Sequence, residues 1–416
     1  MDQAGWVGGR LLRVALCAVF AVIVIKAASA DLTWDEAWTF LHYGRDPLGF
    51  TRLDLANDHP LNSVLVWAST WLFGNSEFII RIPNVLAGGL YLAATARLVR
   101  GVRLKPLAFA VCALQPYLID YFSLARGYGL AVALVQCGLV AGFFAGTERR
   151  RLATMLGCCA LASFSIFSTV MALYALIVAH LVDAWRHRRE TGGVVSGLRV
   201  SLAFGTLGLV PIAGLLWVSR AGVPLVGSDA GFFDAIPRAV AAMYVPDRWA
   251  VTVAILGLLT LAGMLLSAAP SLGRRATVLL SASALCLATA WLAAWTLGKP
   301  LPSGRVLLPW LPLFGLAAIA AAEDLYAAAG QRGRRGIVAA SASVCLLLGW
   351  SFAQHLHFQR FSDWAGDYRI ESRLAQSLIA SKCLPPSVWA SYAREYYLDR
   401  WFLPQYRPRD YPCLPP

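Results

Sequence analysis

Apolar stretches close to twenty residues long recur along this chain, separated by short polar connections, and no other feature restricts its fold as much. Each approaches the roughly 20 residues that an α-helix needs to cross the hydrocarbon core of a bilayer. Within that core every backbone N–H and C=O must find a partner inside the protein, so such stretches become helices. The chain has 416 residues, 58% hydrophobic and only 14% charged, where an ordinary soluble domain carries about 25% charged residues. Length alone would suggest two or three soluble domains. The apolar spacing replaces that reading with one all-α polytopic membrane domain of about eleven transmembrane helices. They are expected near residues 11–30, 78–97, 105–121, 127–146, 152–167, 169–185, 199–219, 250–268, 276–297, 306–323 and 337–353. Region 152–185 reads either as a hairpin of two short helices or as one long tilted helix.

Lys and Arg set the orientation. They cluster at Arg10 and Arg13, at Arg97, Arg100, Arg103 and Lys105, and at Arg149 to Arg151. Further clusters are Arg186, Arg188 and Arg189, then Arg274 and Arg275, then Arg332, Arg334 and Arg335. With eleven spans all six share one side, which the positive-inside rule makes cytoplasmic. An even count would break this agreement, which favours the 152–185 hairpin. The N-terminus is then inside and the C-terminus outside. The net charge of +13 belongs to this pattern and points away from nucleic acid as a partner. The first stretch follows Arg10 and Arg13 and ends in Ala28-Ser29-Ala30, as a signal peptide would. The many later stretches favour an uncleaved first helix.

Two parts are expected: a membrane domain over residues 1–353, whose first outer loop is 31–77, and a small outer segment over 354–416. Within the first loop, Leu61 to Phe73 is apolar with Trp67 and Trp71 four apart. That is short for a span and suits an interfacial helix lying on the membrane. Of nine cysteines, Cys383 and Cys413 alone lie in the polar tail. Outside the cytoplasm they could form a disulfide or stay free. The other seven sit in apolar segments, as small hydrophobes do.

Charged residues are scarce enough that their groupings carry information. The first outer loop holds Asp31, Asp35, Glu36, Asp46, Asp54 and Asp58, with His59 following. Asp35 could simply cap a short helix running to His42. Alternatively it is a carboxylate held at the membrane surface as a general base, its pKa raised by low dielectric. A second group, Asp120 to Tyr128, places Arg126 and Tyr128 at the outer ends of spans three and four. Arg126 could snorkel there or face an anionic headgroup. A third group contains Lys299 and Arg305. Two cations on the outer side run against the positive-inside trend, and a phosphate site would account for them. Pro309 and Pro312 follow and could open the helix backbone nearby. Asp35, Asp58 and His59 could converge on a divalent cation, although no ligand spacing demands one.

Three elements together resemble the N-terminal half of the GT-C membrane glycosyltransferases. They are Trp34-Asp35-Glu36-Ala37-Trp38-Thr39, His59-Pro60-Leu61, and Phe73-Gly74-Asn75-Ser76-Glu77-Phe78 with Arg81, Pro83 and Asn84 behind it. The dolichyl-phosphate-mannose protein mannosyltransferases and the bacterial aminoarabinose transferases acting on lipid A are the most similar groups. Ser123-Leu-Ala-Arg126-Gly-Tyr128 resembles their Ser-x-Glu-Ala-Arg-x-Tyr element, without its Glu. The likeness covers about residues 11–145, with an echo from Lys299 to Pro312. It implies an inverting transferase that takes a sugar from a polyprenyl-phosphate donor and passes it to a lipid, glycan or protein acceptor. It further implies Asp35 as catalytic acidic residue beside Glu36. Asp58, His59, Arg126, Tyr128, Lys299 and Arg305 would then contact the donor phosphate or substrate. Asp120 is the nearby candidate for a second acidic role. The expected location is a bacterial plasma (inner) membrane with the active site on its outer face. The alternative is a transporter or flippase of lipid-linked sugars, which would need ionisable groups near the bilayer midplane. Here the charges gather at span ends.

Overall fold

A computed structural model describes residues 3–46, 48, 59–144, 148–187, 194–220, 232–245, 272–297, 301–302 and 304–356. The regular elements in them are helical. They are α1 (Gln3–Ser29), α2 (Trp34–Thr39), α3 (Pro60–Phe73), α4 (Glu77–Gly101), α5 (Lys105–Ala113), α6 (Pro116–Phe122) and α7 (Gly127–Phe144). Then follow α8 (Glu148–Ser165), α9 (Thr169–Arg186), α10 (Val194–Arg220), α11 (Phe232–Tyr244), α12 (Arg274–Leu297), α13 (Leu311–Ala328) and α14 (Gln331–His355). A π-helical turn, Phe40–Gly44, continues α2, and a 3₁₀ segment, Gly304–Trp310, leads into α13. The chain is an integral membrane protein. Seven of these helices are long and apolar enough to cross a bilayer, or eight if α6 and α7 form one span bent by 112°.

Each expected span within the described residues falls on helix, and region 152–185 is the two-helix hairpin α8–α9, closed by a turn at Ile166–Ser168. The expected span 250–268 and the tail from 357 onward, with Cys383 and Cys413, lie outside the described residues. One expectation needs correction: residues 105–121 are not a single helix. Pro116 cannot donate to the ladder and holds the residue before it in extended backbone, and Gln115 is extended at φ −112°, ψ 105°. The freed carbonyls find new donors, as apolar surroundings require. Tyr91 Oη donates to the Cys112 carbonyl at 2.8 Å, and Gln115 Nε2 donates to that of Val111.

The other connections follow from local chemistry. Thr33 starts α2 with a capping box: its hydroxyl accepts from the Glu36 amide at 3.3 Å, and its own amide donates to Glu36 Oε2 at 2.9 Å. The cap is thus Thr33 rather than Asp35, which leaves the Asp35 carboxylate for other partners. The interfacial segment is α3, begun by Pro60 and ended at Gly74, whose φ of +83° suits glycine. It buries Asn62, Ser63, Val66 and Ser69 and exposes Trp71, Leu72 and Phe73. At the far end of the bundle Arg103, Arg151, Arg274 and Arg275 line two adjoining clefts of about 270 and 340 Å³. Residues of three of the basic clusters thus meet there. There Glu323 accepts the Arg103 and Leu104 amides and closes the N-terminus of α5.

Helices α7 and α8 approach through Gly138 and Gly142, four residues apart, the small-residue spacing that lets membrane helices touch. A Cβ on Gly138 would lie 2.9 Å from both Cys158 Cβ and the Met155 carbonyl oxygen. Gly138→Ala should therefore lower stability by about 1–3 kcal/mol, read as an earlier thermal unfolding midpoint in detergent. Gly336→Ala, where nothing lies within 4 Å, should cause no loss.

Candidate active site

The site is assembled where α1 ends, α2 begins, α6 turns into α7 and the 3₁₀ segment enters α13. Its frame is a buried ion pair. Arg81, in the first turns of α4, donates from Nε to Glu36 Oε1 and from Nη2 to Glu36 Oε2, both at 2.8 Å, and neither side chain touches solvent. Arg81 also gathers the carbonyls at the end of α1: Ala27 at 3.0 Å, Ala30, and Asp31 at 2.8 Å. Glu36 accepts two further bonds, from the Thr33 amide at 2.9 Å and the Ala125 amide at 2.7 Å. A carboxylate offers about four lone-pair positions, so the Glu36 carboxylate is saturated by the protein. Expectation placed Glu36 among the catalytic residues. These bonds instead tie α1, α2, α4 and the α6–α7 turn together.

Two asparagines hold the same turn. Asn84 Nδ2 donates to Asn62 Oδ1 at 2.7 Å, and Asn62 Nδ2 donates to the Ala125 carbonyl at 3.3 Å. The Asn84 carbonyl oxygen accepts the Leu130 amide at 3.1 Å. Arg126 thereby points back at α2. Its Nη1 donates to the Asp35 backbone carbonyl at 3.2 Å and to Thr39 Oγ1 at 3.1 Å, and its Nη2 lies 3.5 Å from Asp35 Oδ2.

Arg305 reaches the same carboxylate from far along the chain, donating from Nη1 to Asp35 Oδ2 at 2.8 Å. Its placement has local causes. Gly304 takes a left-handed φ of +53° that turns the chain into the 3₁₀ segment. That segment is pinned to the α8–α9 turn: Ser168 Oγ donates to the Val306 carbonyl and buried Trp310 Nε1 donates to the Ser168 carbonyl, both at 3.1 Å. Residues separated by 91 and 270 positions thus meet at Asp35, which is only 6% exposed. Two guanidiniums thus face one carboxylate.

His59 is buried beside the trio. Its ring stands edge-on to Tyr128 with centroids 5.4 Å apart, and Tyr128 meets Tyr121 at 5.0 Å. A ring nitrogen bonds to the Ser165 backbone, while Nε2 has no hydrogen-bond partner. Burial, then the charges of Arg126 and Arg305, hold the imidazole well below its usual pKa of 6.5. Asp120 is also buried, paired with Lys26 of α1. Asp58 and Lys299 lie outside the described residues. Among the described residues no group of three or more His, Cys, Asp or Glu side chains comes together as a metal site.

Sequence reasoning therefore named Asp35, Arg126, Tyr128, His59 and Arg305, which the fold brings together. It did not assign roles to Arg81 or Lys26. Each sits at a span end, where a cation reads as snorkelling. The available signal for Arg81 was its place in the Glu77–Asn84 element.

Two crystal structures of ArnT from Cupriavidus metallidurans share this architecture. The one bound to undecaprenyl phosphate matches with a TM-score of 0.53 and 14% identity, over 95% of this chain and 85% of that one. The apo form gives a TM-score of 0.56 and 13% identity, over 96% and 85%. The likeness shows the fold, and the chain has the GT-C architecture. No protein-family description and no curated protein sequence matches the chain.

Removing the charge of Glu36 would leave the Arg81 guanidinium buried without its counter-ion, a change worth about 3–5 kcal/mol. Glu36→Gln should thus reduce the yield of monodisperse protein and its unfolding temperature. A Glu36→Gln protein as stable as the parent would remove the pair from its bracing role.

Proposed function

We propose that this protein is an inverting glycosyltransferase that moves a sugar from a polyprenyl-phosphate donor to an acceptor hydroxyl on the outer face of a bacterial inner membrane. The observation that carries this reading is the Asp35 carboxylate held between Arg126 and Arg305 in an almost closed site. The bound undecaprenyl phosphate of the structurally similar ArnT supports it.

A polyprenyl chain gains about 0.8 kcal/mol for each CH₂ kept in the bilayer, so the base must come to the membrane surface. In the reaction, the acceptor oxygen attacks the anomeric carbon from the face opposite the phosphate. The carbon–oxygen bond to the phosphate breaks, the acceptor proton passes to Asp35, and polyprenyl phosphate departs with the bonding pair. Arg126 and Arg305 meet the charge that develops on the leaving phosphate. Phosphate oxygens compete with Asp35 for those guanidiniums, so donor binding turns the carboxylate toward the acceptor. Lys299 is a further cation for the phosphate, and Glu36, with Arg81, acts as a positioning residue. The sugar and the acceptor class, whether lipid, glycan or protein, are selected elsewhere in the site.

Sugar transfer by purified protein from a polyprenyl-phosphate donor tests the reading. Asp35→Asn should lose at least about a hundredfold in rate, within the roughly 10²–10⁴ supplied by a general base; full activity in this variant would eliminate Asp35 as the base. Arg305→Met should lower kcat by roughly 10²–10³, as loss of a single transition-state donor does. Movement of intact donor across liposomes without cleavage of its sugar–phosphate bond would instead identify a flippase.

A further inference from the structure

The resemblance gives the His59 position to a residue that grips the donor phosphate. The hydrogen bonding around His59 points another way. Nε2 is enclosed and makes no hydrogen bond, so the bond to the Ser165 backbone is made by Nδ1. The Ser165 carbonyl oxygen is the backbone atom packed against His59, both lying within 3.0 Å of where a Cβ on Gly127 would be; a carbonyl is an acceptor, so Nδ1 carries the hydrogen. A neutral imidazole with its hydrogen on Nδ1 presents a bare lone pair at Nε2. The fully buried Arg126 guanidinium and the nearby Arg305 both oppose a second positive charge on the ring. Ser165 Oγ, on the residue whose carbonyl holds the ring, is also buried without a hydrogen-bond partner. Buried polar atoms without partners are rare in native proteins, and His59 and Ser165 each carry one.

We infer that His59 Nε2 accepts a hydrogen bond from a hydroxyl group of the bound sugar or acceptor and does not act as a cation on the phosphate. The inference rests on the transferase reading but assigns a different group. An ionised phosphate offers only acceptor oxygens, and its lone pairs would face the lone pair of Nε2. A hydroxyl supplies the missing hydrogen. The geometry that fixes the tautomer is compact: a Cβ on Gly127 would lie 2.5 Å from the Ser165 carbonyl oxygen and 2.9 Å from His59 Cβ, so residue 127 must be glycine for the imidazole to reach that carbonyl.

The test uses full-length protein labelled with ¹⁵N-histidine, in detergent at pH 8, where a phosphate monoester is largely dianionic. Nε2 of His59 should resonate as an unprotonated nitrogen, alone and after addition of undecaprenyl phosphate, which carries no sugar. A protonated Nε2 in either state overturns the inference, as does a resonance that moves on chelation, which would assign the lone pair to a metal ion. Binding gives a second readout. Affinity for undecaprenyl phosphate should be unchanged within twofold in His59→Phe and His59→Gln; a tenfold loss in both would return His59 to the phosphate. In transfer assays His59→Gln, whose amide can donate to Ser165 and still accept, should keep activity within about tenfold, while His59→Lys should lose far more. The reverse ranking overturns the inference. Deoxygenated donor and acceptor analogues then separate the two hydroxyl sources, since only the one that has lost the recognised hydroxyl becomes insensitive to His59→Phe. Failure of the parent protein to bind undecaprenyl phosphate would sink the transferase reading, while the Nε2 resonance still decides the role of His59.

Discussion

The Glu36–Arg81 pair is the constraint on which the rest of the site depends. Arg81 closes the carbonyl end of α1 and clamps the carboxylate that starts α2, while the same carboxylate holds the Ala125 amide of the α6–α7 turn. Four chain segments are thus fixed by one pair with no solvent contact. In surroundings of low dielectric, removing either partner is costly, and every hydrogen-bonding position of the carboxylate is in use. Because Glu36 is fixed, its neighbour Asp35 lies on the first turn of α2 with a set direction, and Arg126 follows Ala125 by one residue into the same space.

Charge is then divided between structure and chemistry. Glu36 with Arg81, and Asp120 with Lys26, are ion pairs that stitch α2 to α4 and α1 to α6. The trio of Asp35, Arg126 and Arg305 joins residues from three distant parts of the chain and sets two guanidiniums on one carboxylate. A carboxylate already bound to the two guanidiniums has a competitor for them whenever a phosphate arrives. In the proposed reaction, donor binding would thereby release the base.

Much of this was legible in the sequence because membrane chains spend charges sparingly. The spans could be read from hydropathy, and the hairpin over α8 and α9 from the requirement that basic clusters share a side. Asp35, Arg126 and Arg305 stood out as charges with no membrane-orienting purpose. The break in residues 105–121 was hidden, because hydropathy is blind to a proline whose lost bonds are repaired by Tyr91 and Gln115 from elsewhere. Thr33 displaced Asp35 as the cap because the capping box with Glu36 depends on spacing that was present but not weighed. Arg81 was hidden for another reason: a cation at a span end looks the same whether it snorkels or is buried against a carboxylate 45 residues away. His59 shows the deepest limit. Residue type permits a cation, a donor or an acceptor, and only the carbonyl of Ser165 selects among them.

The irregular turn between α6 and α7 is tolerated because its polar groups are matched. Residues 123–126 leave the helical ladder, and each polar group set free in apolar surroundings needs a partner. Ser123 Oγ bonds to the Ile23 carbonyl at 3.1 Å, the Ala125 amide to Glu36, and the Ala125 carbonyl to Asn62. The Ala125 backbone is thus matched by side chains from α2 and α3 and the Ser123 hydroxyl by the backbone of α1, while the turn's one charged side chain, Arg126, is directed at Asp35. A regular helix there would carry its own hydrogen bonds and would have no need of these side chains. Breaking the helix is what recruits α2 and α3 to the turn, and α2 carries the carboxylate that faces Arg126. The same feature that departs from regular secondary structure is therefore the one that assembles the site.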